Sequence, residues 1–217
     1  MKKLVLFGAG GFARELAYMV EIINYEHPET YELLGFVVDE EYFKEGQVVN
    51  GYPVVGTRKW LIEHKNEVVC TCTIGDDPRA RQRIQEELEA EGVVFETLIN
   101  PYVPIHWSVV IGAGSVICGG VGMTVNVTLG KGVVLNGNCL IGHDVRIDDY
   151  SCIMAGASIT GNALIGKRVL MGGYAYITPR RKVGDDAVVA AGSIVFANVK
   201  ANTHVLGNPA KRIKALE

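Results

Sequence analysis

Sixteen positions spaced six residues apart, from Ile105 to Val195, carry an aliphatic side chain or Met without a break. The series opens Ile105, Ile111, Ile117, Met123 and closes Val183, Val189, Val195. A helix repeats every 3.6 residues and a strand every two, so neither keeps a six-residue beat for this long. A prism-shaped coil does. Each flat face places one apolar side chain inward, the chain turns a corner, and the pattern starts again. Such a repeat constrains the fold before any motif is considered.

The position after each anchor is often small or polar (Gly112, Gly130, Asn136, Gly142, Gly166, Gly172). The fourth position after it is again small or β-branched (Ser115, Val121, Val127, Ala157, Ala163, Ser193). Gly and Asn tolerate the left-handed backbone of a sharp corner, which places corners just after the anchors. β-branched residues suit the extended faces. The pattern resembles the hexapeptide-repeat family, whose left-handed β-helix has three faces and eighteen residues per coil. That handedness comes from the resemblance alone, since parallel crossovers are ordinarily right-handed.

The chain of 217 residues has room for one or two domains. Its net charge of −3 gives no reason to expect a nucleic-acid partner. No run of eighteen apolar residues is present, and the opening Met1 to Phe7 leads into a glycine loop rather than a cleavage site. Five cysteines, mostly single in apolar or repeat contexts, predict a reducing cytoplasm. Cys70-Thr71-Cys72 is too close for a normal bridge and lacks the second pair a zinc site needs.

The first ninety-nine residues have a different rhythm. Lys3 to Phe7 reads as a buried strand, Gly8 to Ala13 as a turn, and Arg14 to Ile23 as a helix with Leu16, Met19, Val20 and Ile23 on its apolar face. Further strands are expected at Leu33 to Val38, Glu67 to Ile74 and Val93 to Ile99, with a helix from Pro78 to Glu91. Alternating strands and helices predict a small parallel α/β, Rossmann-like domain over residues 1–99. The β-helix and a short tail would occupy 100–217. After Val195 the beat stops, and Leu206 to Ile213 reads as a turn and tail.

Gly8-Ala9-Gly10-Gly11-Phe12-Ala13 fits G-x-G-x-x-A between a strand and a helix, a turn that lets backbone approach a pyrophosphate at a helix N-terminus. A tight turn without a ligand is the alternative. The small sheet makes half of a dinucleotide site, so a single nucleotide diphosphate fits better. Asp39 and Glu40, closing the second strand, are positioned to accept hydrogen bonds from a base or ribose; solvated loop carboxylates are the other reading. Gly75, after the strand that begins at Glu67, would leave room beside them.

His143-Asp144 lies at a corner of the coil, two residues past anchor Ile141. Gly161, eighteen residues later, would stack on His143 at about the 4.8 Å spacing of neighbouring strands. A base and an uncovered backbone N–H would then share one face, which is what acyl transfer from a thioester requires. A solvated surface histidine is the bland alternative. His27, His64, His106 and His204 lie elsewhere, so no multi-histidine metal site is expected on the coil.

Together the glycine loop, the acidic pair, the His-acid corner and the Gly207-Asn208-Pro209-Ala210-Lys211 tail resemble the bacterial nucleotide-sugar and sialic-acid acetyltransferases over essentially the whole chain. The likeness is strongest to N-acetyltransferases of UDP-4-amino-sugars of the bacillosamine type. It implies acetyl-CoA as cosubstrate, no metal, and a homotrimer with acetyl-CoA between subunits. It also implies His143 as base with Asp144 as its partner, a position where this family often has Glu, and Gly161 as the backbone donor. Gly173 and Ala191 match acetyl-CoA contacts further along the coil, and Gly10, Gly11, Phe12, Asp39, Glu40 and Gly75 match nucleotide-sugar contacts. Cys152 stands where relatives have a second histidine touching acetyl-CoA; a small packed residue is the alternative for it. Phe12 replaces a polar residue of the family's loop.

The expected reaction is acetylation of the C4 amine of a nucleotide-linked amino-deoxy sugar, UDP-linked in the first instance. The runner-up is O-acetylation of a sialic-acid-like sugar, and the third reading is a non-catalytic sugar-nucleotide-binding scaffold. Lys167, Arg168, Arg180, Arg181, Lys182, Lys211 and Arg212 are candidates to hold the CoA phosphates, with ordinary charged corners as the alternative.

Overall fold

The computed structural model describes residues 1–214. Close contacts divide the chain into two units. One comprises Met1–Gly75 and Ala80–Pro101; the other comprises Asp76–Arg79 and Tyr102 onward.

The first unit is built on a five-stranded sheet. Its strands are β1 (Lys2–Phe7), β2 (Tyr31–Val38), β3 (Val48–Val49), β4 (Tyr52–Thr57) and β5 (Val69–Cys72), in the order β3-β4-β2-β1-β5. All neighbours are parallel except β3 and β4. Helix α1 (Gly11–Glu26) extends three residues beyond the sequence expectation at each end, and the expected apolar face is buried at Leu16, Met19, Val20 and Ile23. Helix α3 (Pro78–Ala90) begins at its proline, where a missing N–H costs nothing. The hairpin β3-β4 and the short helix α2 (Arg58–Glu63) were not expected. Their runs of two to six residues are too short to establish a period, and Gly46, Gly51 and Gly56 interrupt the pattern.

The second unit is a left-handed parallel β-helix of two-residue strands, from Val110–Ile111 to Ile194–Val195. Each strand pairs with the one eighteen residues on, as in Leu129↔Ile147 and Ile141↔Ile159, so three strands complete a coil. Fifteen of the sixteen anchors are the second residue of such a strand. From Ile117 to Val195 every anchor is buried, and together they form the coil's axis. Ile105 is the exception: it precedes the first strand and is 39% exposed.

The corners differ from the sequence expectation. Left-handed backbone falls at the third position after an anchor, not the first. Asn126, Asp144, Asn162 and Arg180 form one such column, and Tyr150, Arg168 and Asp186 belong to another. The small residues just after the anchors answer a different demand, close approach of the next coil. A Cβ on Gly142 would lie 2.7 Å from the Gly161 nitrogen, and one on Gly172 would lie 2.4 Å from that of Ala191. Past Val195 the tail is more ordered than expected. His204–Gly207 joins the coil beside Val188–Val189, and Ala210–Ile213 returns antiparallel to it. Among the described residues no helix is long and apolar enough to cross a membrane.

Candidate active site

His143 follows the strand Leu140–Ile141 at the corner of one coil face. Its Nδ1 lies 2.8 Å from Asp144 Oδ2. The carboxylate accepts that hydrogen as an anion: the bond from His143, then the one from Asn126, holds the Asp144 pKa below its usual range. Nδ1 is thereby fixed as the donor, which leaves the Nε2 lone pair as the acceptor of the ring. Asp144 sits at φ 58°, a backbone state that Asp reaches more readily than most residues. The pair is half-exposed, so a substrate has access to it.

The ring lies over Gly161. A Cβ there would be 2.5 Å from His143 Nε2 and 2.6 Å from Cε1, so only glycine leaves room. The chain keeps the two coils in register through Asn162 N–H donating to the His143 carbonyl at 2.9 Å. The Gly161 N–H itself has no hydrogen-bond partner among the described residues. The His143 ring and the residue that carries the uncommitted N–H are therefore stacked at one corner, one coil apart. Beside them runs a groove of about 470 Å³ lined by Leu140, Gly142, Ser158, Thr160, Gly161 and Tyr176. It is mostly apolar, suited to a pantetheine-like chain more than to a charged one.

Gly173 and Ala191 belong to a different column. They precede the strands Tyr176–Ile177 and Ile194–Val195 of the same face, whereas His143 and Gly161 follow theirs. The two columns thus border one face on opposite edges. Cys152, where the resemblance implies a cofactor contact, is fully buried, with its Sγ directed to the Tyr150 carbonyl at 3.9 Å. Two of the basic candidates are also committed: Lys167 pairs with Asp149 at 2.9 Å and Arg168 with Asp186 at 2.7 Å.

In the first unit, β1 ends at a loop whose Gly8 takes φ 111°; a Cβ there would be 2.4 Å from Thr73 Oγ1. Gly10 is the N-cap of α1 and has open space where a side chain would project. A cleft of about 560 Å³ opens here, lined by Gly8, Gly10, Asp39, Tyr42, Lys44 and Gln47 among others. Of the residues the resemblance assigns to the nucleotide sugar, Gly10 and Asp39 line it. Gly11, Phe12, Glu40 and Gly75 are not among its lining residues. Gly75 instead makes room for Phe12, whose ring would lie 2.8 Å from a Cβ at 75. Glu40 is exposed on the short turn Glu40–Tyr42.

Sequence reasoning missed Arg58, which bridges Asp39 and Glu87 and lies 5.3 Å over the Phe7 ring. No local pattern links positions 39 and 58; only the parallel pairing of β2 with β4 brings the start of α2 beside the end of β2.

Residues 3–88 match the PglD N-terminal domain family. The acetyltransferase domain of PglB from Neisseria gonorrhoeae is 29% identical, with 98% of this chain and 100% of that one covered and a TM-score of 0.87. The same domain has been solved in complex with acetyl coenzyme A. WeeI from Acinetobacter baumannii is 27% identical, covering 98% of this chain and 100% of its own, with a TM-score of 0.80. Perosamine N-acetyltransferase from Caulobacter crescentus shares the fold at 23% identity and a TM-score of 0.87, over 99% of this chain and 98% of that one. No curated protein sequence matches the chain significantly. With a PglD N-terminal domain over residues 3–88 joined to a repeat coil that carries a His-acid corner, the chain is similar over nearly its whole length to the acetyltransferase domain of PglB.

Proposed function

We propose that this acetyltransferase transfers the acetyl group of acetyl-CoA to the C4 amine of a UDP-linked amino-deoxy sugar, with His143 as general base. The observation that carries the reading is the His143 ring packed over Gly161, which lines the apolar groove and whose N–H has no partner among the described residues. The solved acetyl-CoA complex of the 28% identical PglB domain supports the donor. The glycine loop and its cleft in the first unit support a nucleotide-linked acceptor.

In this reading His143 Nε2 takes a proton from the amine as its lone pair forms the C–N bond to the thioester carbonyl carbon. Asp144 holds Nδ1–H and stabilises the imidazolium that results. The Gly161 N–H donates to the oxyanion of the tetrahedral intermediate. On collapse the C–S bond breaks, and the proton on His143 passes to the departing sulfur. Gly173 and Ala191, on the opposite edge of the face, would contact the CoA chain from a neighbouring subunit. Large exposed side chains on the coil (Leu140, Tyr174, Tyr176) support a homotrimer. Gly10 and Asp39 would contact the nucleotide diphosphate. Gly11, Phe12, Glu40 and Gly75 would shape the loop around it.

Thiol release from acetyl-CoA tests the proposal with UDP-, dTDP- and GDP-linked 4-amino-sugars and free sialic acid as acceptors. Turnover with the UDP-linked amine is expected. Turnover confined to dTDP- or GDP-linked acceptors would overturn the nucleotide assignment, and turnover confined to sialic acid would overturn N-acetylation.

A further inference from the structure

Asp144 is not held by His143 alone. Its second oxygen, Oδ1, accepts a hydrogen bond from Asn126 Nδ2 at 3.0 Å. Asn126 comes from the preceding coil, eighteen residues earlier in the same left-handed corner column, at φ 57°. Its own position is fixed from the coil before that, where Ser108 Oγ accepts the Asn126 backbone N–H at 2.8 Å. The Asp144 backbone is tied to the same coil as Asn126 by its N–H donating to the Val125 carbonyl at 3.1 Å. The carboxylate is therefore gripped at both oxygens, by an amide on one side and an imidazole on the other.

This matters because an exposed aspartate has free χ torsions. Asp144 is 46% exposed at its side chain, so without a second anchor the carboxylate would rotate into water and release Nδ1. A neutral amide donor fixes the carboxylate without adding a charge that competes for it. The groups around the pair are few. His143 is the titratable group facing Asp144, Asn126 and Asn162 flank it from the two neighbouring coils, and nearby Arg146 is paired to Asp148 at 2.7 Å.

We infer that Asn126 is a positioning residue for the catalytic dyad: through Asp144 it fixes the orientation and tautomer of His143. The inference rests on His143 being the base. Asn126 touches no reacting atom in this account. Its action is on the fraction of enzyme whose Nε2 is correctly presented, so it acts on turnover and its pH dependence and not on substrate affinity.

The test uses the full chain with Asn126→Gly and Asn126→Asp, and His143→Ala as reference. Glycine removes the amide while tolerating the left-handed backbone, so the variant is spared the strain alanine would add. Asn126→Gly is expected to lower kcat about fivefold, the effect of one lost hydrogen bond, with both KM values unchanged. Asn126→Asp keeps the shape but sets a carboxylate against Asp144. It should lose more at neutral pH and close part of the gap to wild type on acidification, as one of the two carboxylates takes up a proton and shares it. An inactive His143→Ala beside Asn126 variants with the wild-type pH profile would overturn the inference while leaving the base in place. Near-full activity in His143→Ala would overturn both together. Loss that follows lowered thermal stability, with an unchanged pH profile in both Asn126 variants, would also overturn it.

Discussion

The imidazole of His143 occupies the space that any side chain at position 161 would fill, with its Nε2 2.5 Å from where the Cβ would stand. Gly161 is not in the left-handed region, so its glycine is needed for space and not for backbone freedom. Gly161→Ala should therefore displace the ring with little loss of stability. Misplacing a catalytic group by about 1 Å costs on the order of a hundredfold in turnover. We expect that loss in kcat, with a urea midpoint close to wild type. A Gly161→Ala enzyme of normal kcat would mean that the ring over Gly161 is not the working base.

Asp144→Asn keeps a residue that accepts φ near +60° but removes the anion that accepts Nδ1–H. The account predicts a kcat lower by about 10- to 100-fold, measured as thiol release at saturating substrates. Because its hydrogen bonds hold the Asp144 pKa below the ordinary range, the carboxylate stays ionised on mild acidification. Loss of wild-type activity on mild acidification should therefore not arise from Asp144.

The ion pair between Arg168 and Asp186 links two left-handed corners one coil apart through two bonds, 2.9 and 2.7 Å long. The Arg168 hydrogen bonds are the main cause that lowers the Asp186 pKa to about 2. A carboxylate whose folded pKa is depressed contributes stability above its unfolded pKa, near 4. That contribution is lost as pH falls through the folded value. After allowance for solvent screening the pair contributes about 1 kcal/mol. Urea unfolding between pH 5 and 2 should show this loss in wild type and lack it in Asp186→Asn, which suits the same corner.

Arg58 holds Asp39 at the rim of the first-unit cleft. Arg58→Ala should release that carboxylate and raise KM for the nucleotide-linked acceptor about fivefold, leaving KM for acetyl-CoA unchanged. Arg58→Lys keeps the charge but not the planar fork and should recover only part of the affinity. Separate KM determinations for the two substrates check this, and a shift in the acetyl-CoA value instead would contradict it.

The coil was legible because one spacing governs it: an inward residue every sixth position survives any local substitution, and the eighteen-residue register that brings Gly161 under His143 follows from it. The corner chemistry was less so. Tyr150, Arg168 and Arg180 adopt left-handed backbone against their own propensity because the coils above and below hold them there, and no local rule marks such positions. Position 152 fits a family contact by alignment, yet whether a strand residue is covered depends on tertiary packing. The Arg58–Asp39 bridge was likewise unreadable, since it joins elements that meet only after the sheet has formed. Phe12 and Gly75 were expected as separate nucleotide-sugar contacts, and only the folded loop shows their relationship to each other, ring against the missing side chain.

Single-site kinetics tests most directly whether His143 is the base. His143→Ala, assayed for thiol release with acetyl-CoA and its amino-sugar acceptor at neutral pH, should lose about 10²- to 10⁴-fold in kcat while still binding acetyl-CoA. A loss of less than about tenfold would contradict the account, because a residue that removes the proton in the bond-forming step cannot be dispensed with so cheaply.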